Sequence, residues 1–186
     1  VLIGLDVDDK CLVQAREKLK DLSCKVILIQ SNFSEITEQV HRQGIEKADF
    51  ILADLGFCSS QVVDDEIGMS FQQDMPLDMR IDKRIRRNAA DIVNKSDEKS
   101  LADLIYEYGQ DRASRRIARF IVEHRQRGPI TTTGQLASIV SRALSTGRKG
   151  KKYFRIHPAT RTFQALRIAV NSELENLERL LSDSSD

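Results

Sequence analysis

Val1-Leu2-Ile3-Gly4-Leu5-Asp6, the stretch Lys10–Leu22, and Lys25-Val26-Ile27-Leu28-Ile29-Gln30 decide the fold. The outer two are short apolar runs, the first ending in a carboxylate. Between them Leu12, Ala15, Leu19 and Leu22 recur at helical spacing. This is the pattern of a strand, an amphipathic helix and a second strand. The alternation continues outward, with Ser34–Gln43 reading as a second amphipathic helix N-capped by Ser34 and Asp49–Asp54 as a third strand. Strands alternating with helices of this length make parallel βαβ units with right-handed crossovers. The expected class is therefore α/β, half of a doubly wound sheet. Asp6, Phe33 and Asp54 would emerge together beyond the carboxyl ends of three strands, where ligands bind in such sheets.

From Gly56 to Asp82 the pattern stops, because Ser59, Ser60, Gly68 and Pro76 interrupt any period. A long loop is expected, packed down by its own Met69, Phe71, Leu77 and Met79. Helical spacing then returns over Ala89–Asn94, Asp97–Tyr108, Arg112–Arg125 and Thr133–Leu144, with Gly109 and Gly128-Pro129 as breaks. In the third of these, Arg115, Arg116 and Arg119 oppose Ile117, Phe120 and Ile121. A last helix is expected from Pro158 to Leu181, with Phe163, Leu166, Val170, Leu174, Leu177 and Leu181 on one face. Three segments follow: 1–82, part of a ligand-binding sheet domain with its long loop; 83–155, an all-helical insertion; and 156–186, a helix returning to the first domain.

No uninterrupted apolar run approaches the ~20 residues that a bilayer requires, so no membrane association is expected. Cys11, Cys24 and Cys58 are odd in number, far apart and without metal-ligand spacing, which suits free thiols in a reducing cytoplasm. No secretory signal is recognisable. The chain opens directly on an apolar strand without an initiator Met, so a fragment is expected. Its net charge of +1 hides a polarised distribution. From His124 through Ser172 there is no Asp or Glu, while Arg125, Arg127, Arg142, Arg148, Lys149, Lys151, Lys152, Arg155, Arg161 and Arg167 fall there. A short basic run is usually a solvated face, but an acid-free stretch of this length suits a polyanion, whose phosphates a carboxylate would repel.

Asp6, at a strand tip, has the position of a carboxylate that accepts hydrogen bonds from both hydroxyls of a cofactor ribose, or of one that only caps the next helix. Asp8 is the better candidate for that cap. Asp54-Leu55-Gly56 pairs a strand-end carboxylate with a residue that allows close backbone approach, which is also an ordinary way to end a strand. No nucleophilic triad or metal set can be assembled, and His157 alone suits a hydrogen-bonded structural role as well as a chemical one.

Two long phrases carry more. Asp54-Leu55-Gly56 with Ser59-Ser60-Gln61, Ser70-Phe71 and Pro76-Leu77-Asp78-Met79-Arg80, and later Ala159-Thr160-Arg161-Thr162-Phe163-Gln164-Ala165-Leu166-Arg167-Ile168-Ala169-Val170-Asn171, resemble the RsmH/MraW family. Members of that family are S-adenosylmethionine-dependent methyltransferases acting on the exocyclic N4 amine of a cytidine in 16S ribosomal RNA. The resemblance implies a class I, Rossmann-like methyltransferase sheet with an inserted all-helical domain that helps seat the RNA. It implies that Asp6 binds the cofactor ribose, Phe33 lies against the adenine, and Asp54 and Gln61 line the methyl-transfer side, Asp54 being the catalytic candidate. The expected RNA-facing residues are Arg148, Lys149, Lys151, Lys152, Arg155, His157 and Arg161; Phe71, Tyr153 and Phe154 could each stack on a base or pack in a core. The partner implied is the small ribosomal subunit or its rRNA, in the cytoplasm; the oligomeric state stays open, a dimer among the alternatives. The sequence departs from the family pattern at Phe57-Cys58, Ser60, Val63, Ile67, Met69 and Met75. The family's glycine-rich cofactor loop would precede Val1, and its closing strands would follow Asp186. Methylation of another RNA or DNA base, or a noncatalytic RNA-binding remnant, are the competing readings.

Overall fold

A computed structural model of the chain describes residues 1–56, 67–145 and 156–183. The chain divides into two compact units, Val1–Gly56 with Ser172–Asp186, and Phe57–Asn171.

In the first unit, strand β1 (Leu2–Asp6) leads through helix α1 (Asp9–Leu19) to strand β2 (Val26–Gln30). The strands pair in parallel, from Leu2 opposite Val26 to Asp6 opposite Gln30, as the βαβ reading requires. Asp8 is the N-cap of α1, its carboxylate accepting from the Lys10 amide at 2.9 Å, which satisfies an amide the helix leaves unpaired. After β2 comes a 3-10 turn (Phe33–Glu35) and then helix α2 (Ile36–Arg42). The expected cap Ser34 is inside that turn. Asn32 caps the turn, accepting from the Ser34 amide at 2.9 Å, and α2 itself begins after Glu35 without a side-chain cap.

The third strand is not formed. Residues 49–54 pair with no other backbone among the described residues, and Phe50 and Leu52 are 80% and 82% exposed. An apolar run is a strand only when a second backbone takes its amides and carbonyls. The observed sheet is thus two parallel strands, within a mixed α/β chain whose other described elements are helical.

The second unit is helical: α3 (Ala89–Lys95), α4 (Glu98–Gly109), α5 (Ser114–Arg125), α6 (Thr133–Ser145) and α7 (Thr160–Asn171). Its core gathers Leu101 and Ile105 of α4, Ile117 and Ile121 of α5, Leu136 and Val140 of α6, and Phe163 and Leu166 of α7. As the spacing predicts, Arg115 and Arg119 of α5 face solvent opposite Ile117 and Ile121. Asn88 and Asp91 form a reciprocal capping box on α3. Helices α4 and α7 approach closely at Gly109, where a Cβ would stand 2.5 Å from the Arg161 carbonyl oxygen.

The described part of the loop, from Ile67 to Asp82, packs on this unit as its apolar residues predict: Leu77 is 2% exposed and Met79 fully buried. It is sewn to the start of α6. Leu77 donates its amide to the Thr131 carbonyl at 2.9 Å, and Thr133 donates to that of Met75 at 2.9 Å. Asp74 accepts from the Gly134 amide at 2.9 Å, a carboxylate at the amino end of α6. Gly68 has φ +65, and a Cβ there would stand 1.9 Å from the Pro76 carbonyl oxygen, so no other residue fits.

The expected single helix from Pro158 to Leu181 is two. Ser172 has φ +47, ending α7; helix α8 (Glu173–Asp183) then packs on the 3-10 turn and α2 of the first unit. The expected apolar face holds for Phe163, Leu166 and Val170 of α7 but not beyond the break: in α8 Leu180 is buried, while Leu174 and Leu181 are 44% and 61% exposed, because periodicity alone does not register the one left-handed residue that ends α7. The units accordingly meet in sequence at Gly56/Phe57 and Asn171/Ser172, with loop residues 67–82 inside the helical unit. Among the described residues no helix is long and apolar enough to cross a membrane.

Candidate functional site

The carboxyl end of the small sheet is held by local bonds. Ser31 donates its amide to the Asp6 carbonyl at 3.1 Å, and the Gln30 side chain donates to the Val7 carbonyl at 3.2 Å. The Asp6 carboxylate is half-buried and oriented by the Asp8 amide, which donates to Oδ1 at 2.8 Å. Beyond the end of β2, Phe33 opens the 3-10 turn, half-buried, and Ser31 donates its hydroxyl to Glu35 within the same turn. Asp6 and Phe33 therefore lie past the same end of the parallel strands, an acceptor and an apolar ring at the edge where α/β sheets bind ligands.

Asp54 belongs to the same unit but lies on the exposed segment without regular structure, so the shared crevice of three strand ends reduces to two. Gln61 lies outside the described residues. Among the described residues no group of three or more His, Cys, Asp or Glu is placed to hold a metal ion.

Of the acid-free stretch, Arg148, Lys149, Lys151, Lys152 and Arg155 lie outside the described residues, as do Tyr153 and Phe154. Arg125 is engaged internally, donating to the Val93 carbonyl at 2.8 Å. Arg127, Arg142 and Arg161 are exposed, and Arg161 donates to the Gln110 carbonyl at 3.2 Å. His157 is exposed just ahead of α7, its Nδ1 accepting from the Ala159 amide at 3.2 Å. Its ring stacks on Phe71, centroids 4.3 Å apart. The structure thus joins two residues that stand far apart in sequence and share no motif.

A second basic segment is legible in composition alone and is missed when only the acid-free stretch is considered: Arg80, Lys83, Arg84, Arg86 and Arg87 fall within eight residues. Much of this charge is neutralised in place. Arg80 grips Asp78 through Nε at 2.6 Å and Nη2 at 2.9 Å and donates to the Ile85 carbonyl at 2.8 Å. Arg84 pairs with Asp82 at 2.7 Å. Burial pushes the Asp78 carboxyl up, but the Arg80 hydrogen bonds and the Lys83 charge outweigh it, and its pKa lies below the ordinary value. Ile67 is buried at 6% exposure.

Over residues 1–186 the chain matches the sequence model of the MraW methylase family. It is similar to proteins named ribosomal RNA small subunit methyltransferase H from several bacteria. That of Geotalea daltonii is 46% identical over 182 residues, covering 98% of this chain and 57% of the relative. That of Syntrophobacter fumaroxidans is 45% identical over 186 residues, covering 100% and 57%. That of Cyanothece sp. is 48% identical over 181 residues, covering 97% and 57%. The chain therefore spans just over half the length of these curated relatives.

Proposed function

This chain belongs to the MraW methylase family, and from that premise we propose that it carries cofactor-binding and RNA-facing parts of an enzyme that methylates the N4 amine of a cytidine in 16S ribosomal RNA. The observation that carries the reading is identity of 45% along all 186 residues to a protein named for methylation of small-subunit rRNA. In this reading the parallel pair belongs to a Rossmann-like class I sheet, and the helical unit is an insertion that seats RNA in the cytoplasm.

S-adenosylmethionine, when bound, supplies an electrophilic methyl group on sulfur. The sheet end fits the nucleoside part of such a molecule, because the Asp6 carboxylate is pre-oriented by the Asp8 amide and Phe33, half-buried, follows β2 at the same end of the strands. Asp6 accepts from the ribose hydroxyls, and Phe33 packs against the adenine. The cytosine amine is a weak nucleophile because its lone pair is delocalised into the ring. Asp54 accepts a hydrogen bond from that amine and localises the lone pair, while Gln61 lines the same side. The base must leave its stack to reach Asp54, which requires an unpaired or extruded nucleotide. The basic residues Arg148, Lys149, Lys151, Lys152, Arg155 and Arg161 take the phosphates, and His157 contacts the same RNA.

Single-turnover methyl transfer to saturating RNA, in the protein extended to the length of its relatives, tests this. Asp54→Asn should keep cofactor affinity and lower the rate by about 10²–10³, the scale of one preorganised electrostatic contact. A wild-type rate removes Asp54 from the chemical step; no transfer by the wild-type protein, with RNA still bound, supports the noncatalytic reading.

A further inference from the structure

His157 presents an exposed ring that is held twice over. One face stacks on Phe71, with centroids 4.3 Å apart and planes 26° from parallel. Phe71 is backed edge-on by Phe163 at 5.0 Å and 77°, and Phe163 is a core residue at 4% exposure. The ring is also fixed in its plane, since Nδ1 accepts the Ala159 amide at 3.2 Å.

Two ordinary roles leave this arrangement unexplained. Capping the start of α7 needs only a short polar side chain; Asn88 and Asp97 do that work on α3 and α4, and histidine is not among the favoured caps. Core packing accounts for Phe163 and Phe71 but not for an exposed imidazole as the outermost layer. The surroundings add a charge argument. His157 lies within the stretch that contains no carboxylate, and Arg161, four residues on, is exposed.

We infer that His157, braced by Phe71, is a stacking platform for an unpaired base of the RNA, with Arg161 contacting a neighbouring phosphate. The inference deepens the RNA-substrate reading above and rests on it. Unpaired bases are recognised by stacking on aromatic faces, a contact tolerant of base identity because every base has a π-face. Bracing is what gives such a surface its use: a free imidazole would lose rotamer freedom on binding, and this one has already lost it.

The test is binding of an unpaired oligoribonucleotide carrying one 2-aminopurine, followed by fluorescence quenching over a range of salt. His157→Asn keeps a cap acceptor and removes the ring; it should weaken binding about tenfold, the size of one lost stacking contact, abolish the quenching, and leave the salt slope unchanged. His157→Tyr should restore both affinity and quenching. Arg161→Ala should instead lower the slope by about one phosphate contact without abolishing quenching. Wild-type affinity and quenching in His157→Asn overturn the platform while leaving RNA binding intact. Absence of salt-dependent binding by the wild-type chain overturns the RNA reading itself, and the platform with it.

Discussion

Asn171 donates its side-chain amide to the main-chain carbonyl of Met79 at 2.8 Å, and Met79 is a fully buried residue with φ +63. The same side chain accepts the Ile81 amide at 3.0 Å and donates to the Arg167 carbonyl at 2.9 Å, while the Met79 amide donates to the Ile67 carbonyl at 2.7 Å. A side chain in the left-handed region costs about 1 kcal/mol or more and persists only where its surroundings over-determine it. Here the last residue of α7 grips the turn from outside the loop. The two phrases that mark the family thus meet in space, one ending in Asn171 and the other containing Met79.

Replacing Asn171 by Ala should destabilise the chain by about 1–3 kcal/mol, because it leaves the Met79 carbonyl buried without this partner. The better helix propensity of Ala returns at most about 0.7 kcal/mol and does not reverse the sign. Urea unfolding monitored by circular dichroism measures this. A midpoint unchanged within error would mean that the turn is held by its packing alone.

Met79→Gly sets two effects against each other. Glycine relieves about 1 kcal/mol of backbone strain at a positive φ, while loss of a fully buried methionine side chain costs about 2–5 kcal/mol. The cavity outweighs the relieved strain, so the variant should unfold at lower urea than the wild type. A stabilised variant would show that strain, not burial, dominates this turn.

Gly109→Ala should lower the melting temperature although alanine favours a helix by about 1 kcal/mol over glycine. The added Cβ would stand 2.5 Å from the Arg161 carbonyl oxygen and 3.3 Å from the Ala165 Cβ. Backbone cannot swing aside as a flexible side chain can, so α4 and α7 must separate. A melting temperature at or above that of the wild type would show that the two helices slide apart at little cost.

Acid should loosen the helical unit through Asp78. Its folded pKa is lowered from 3.8, with burial opposing and the Arg80 hydrogen bonds and Lys83 charge prevailing; Asp82 and Asp91 are shifted in the same direction. A carboxyl whose folded pKa is depressed binds fewer protons folded than unfolded. Its stabilisation is therefore fully present above about pH 4 and fades as pH falls through the lower folded value. Urea midpoints measured from pH 6 down to pH 2 should fall less steeply for Asp78→Asn than for the wild type. Equal slopes would remove Asp78 from the acid response.

Asp6→Ala should weaken S-adenosylmethionine binding about tenfold or more, since charged hydrogen bonds to the ribose are worth about 1.5–3 kcal/mol. Calorimetry on the protein extended to the length of its relatives reads this directly. Unchanged affinity in a folded variant would reduce Asp6 to its observed bond with the Asp8 amide.

The sequence by itself determined the local elements: the β1–α1–β2 unit, Asp8 as the cap of α1, and helices α4, α5 and α6 within a few residues of their ends. An α-helix closes its hydrogen bonds four residues away, so its apolar period and its caps are written locally. The tertiary structure alone decided what depends on distant partners. Residues 49–54 carry a strand's composition, yet pairing requires a second backbone and none is beside them among the described residues. The stripe from Phe163 to Leu181 reads as one helix, yet the left-handed Ser172 divides it between two units. The bond from Asn171 to Met79 and the stack of His157 on Phe71 join positions more than eighty residues apart. No periodicity records such contacts, because they exist only once the helices have packed and brought the two phrases together.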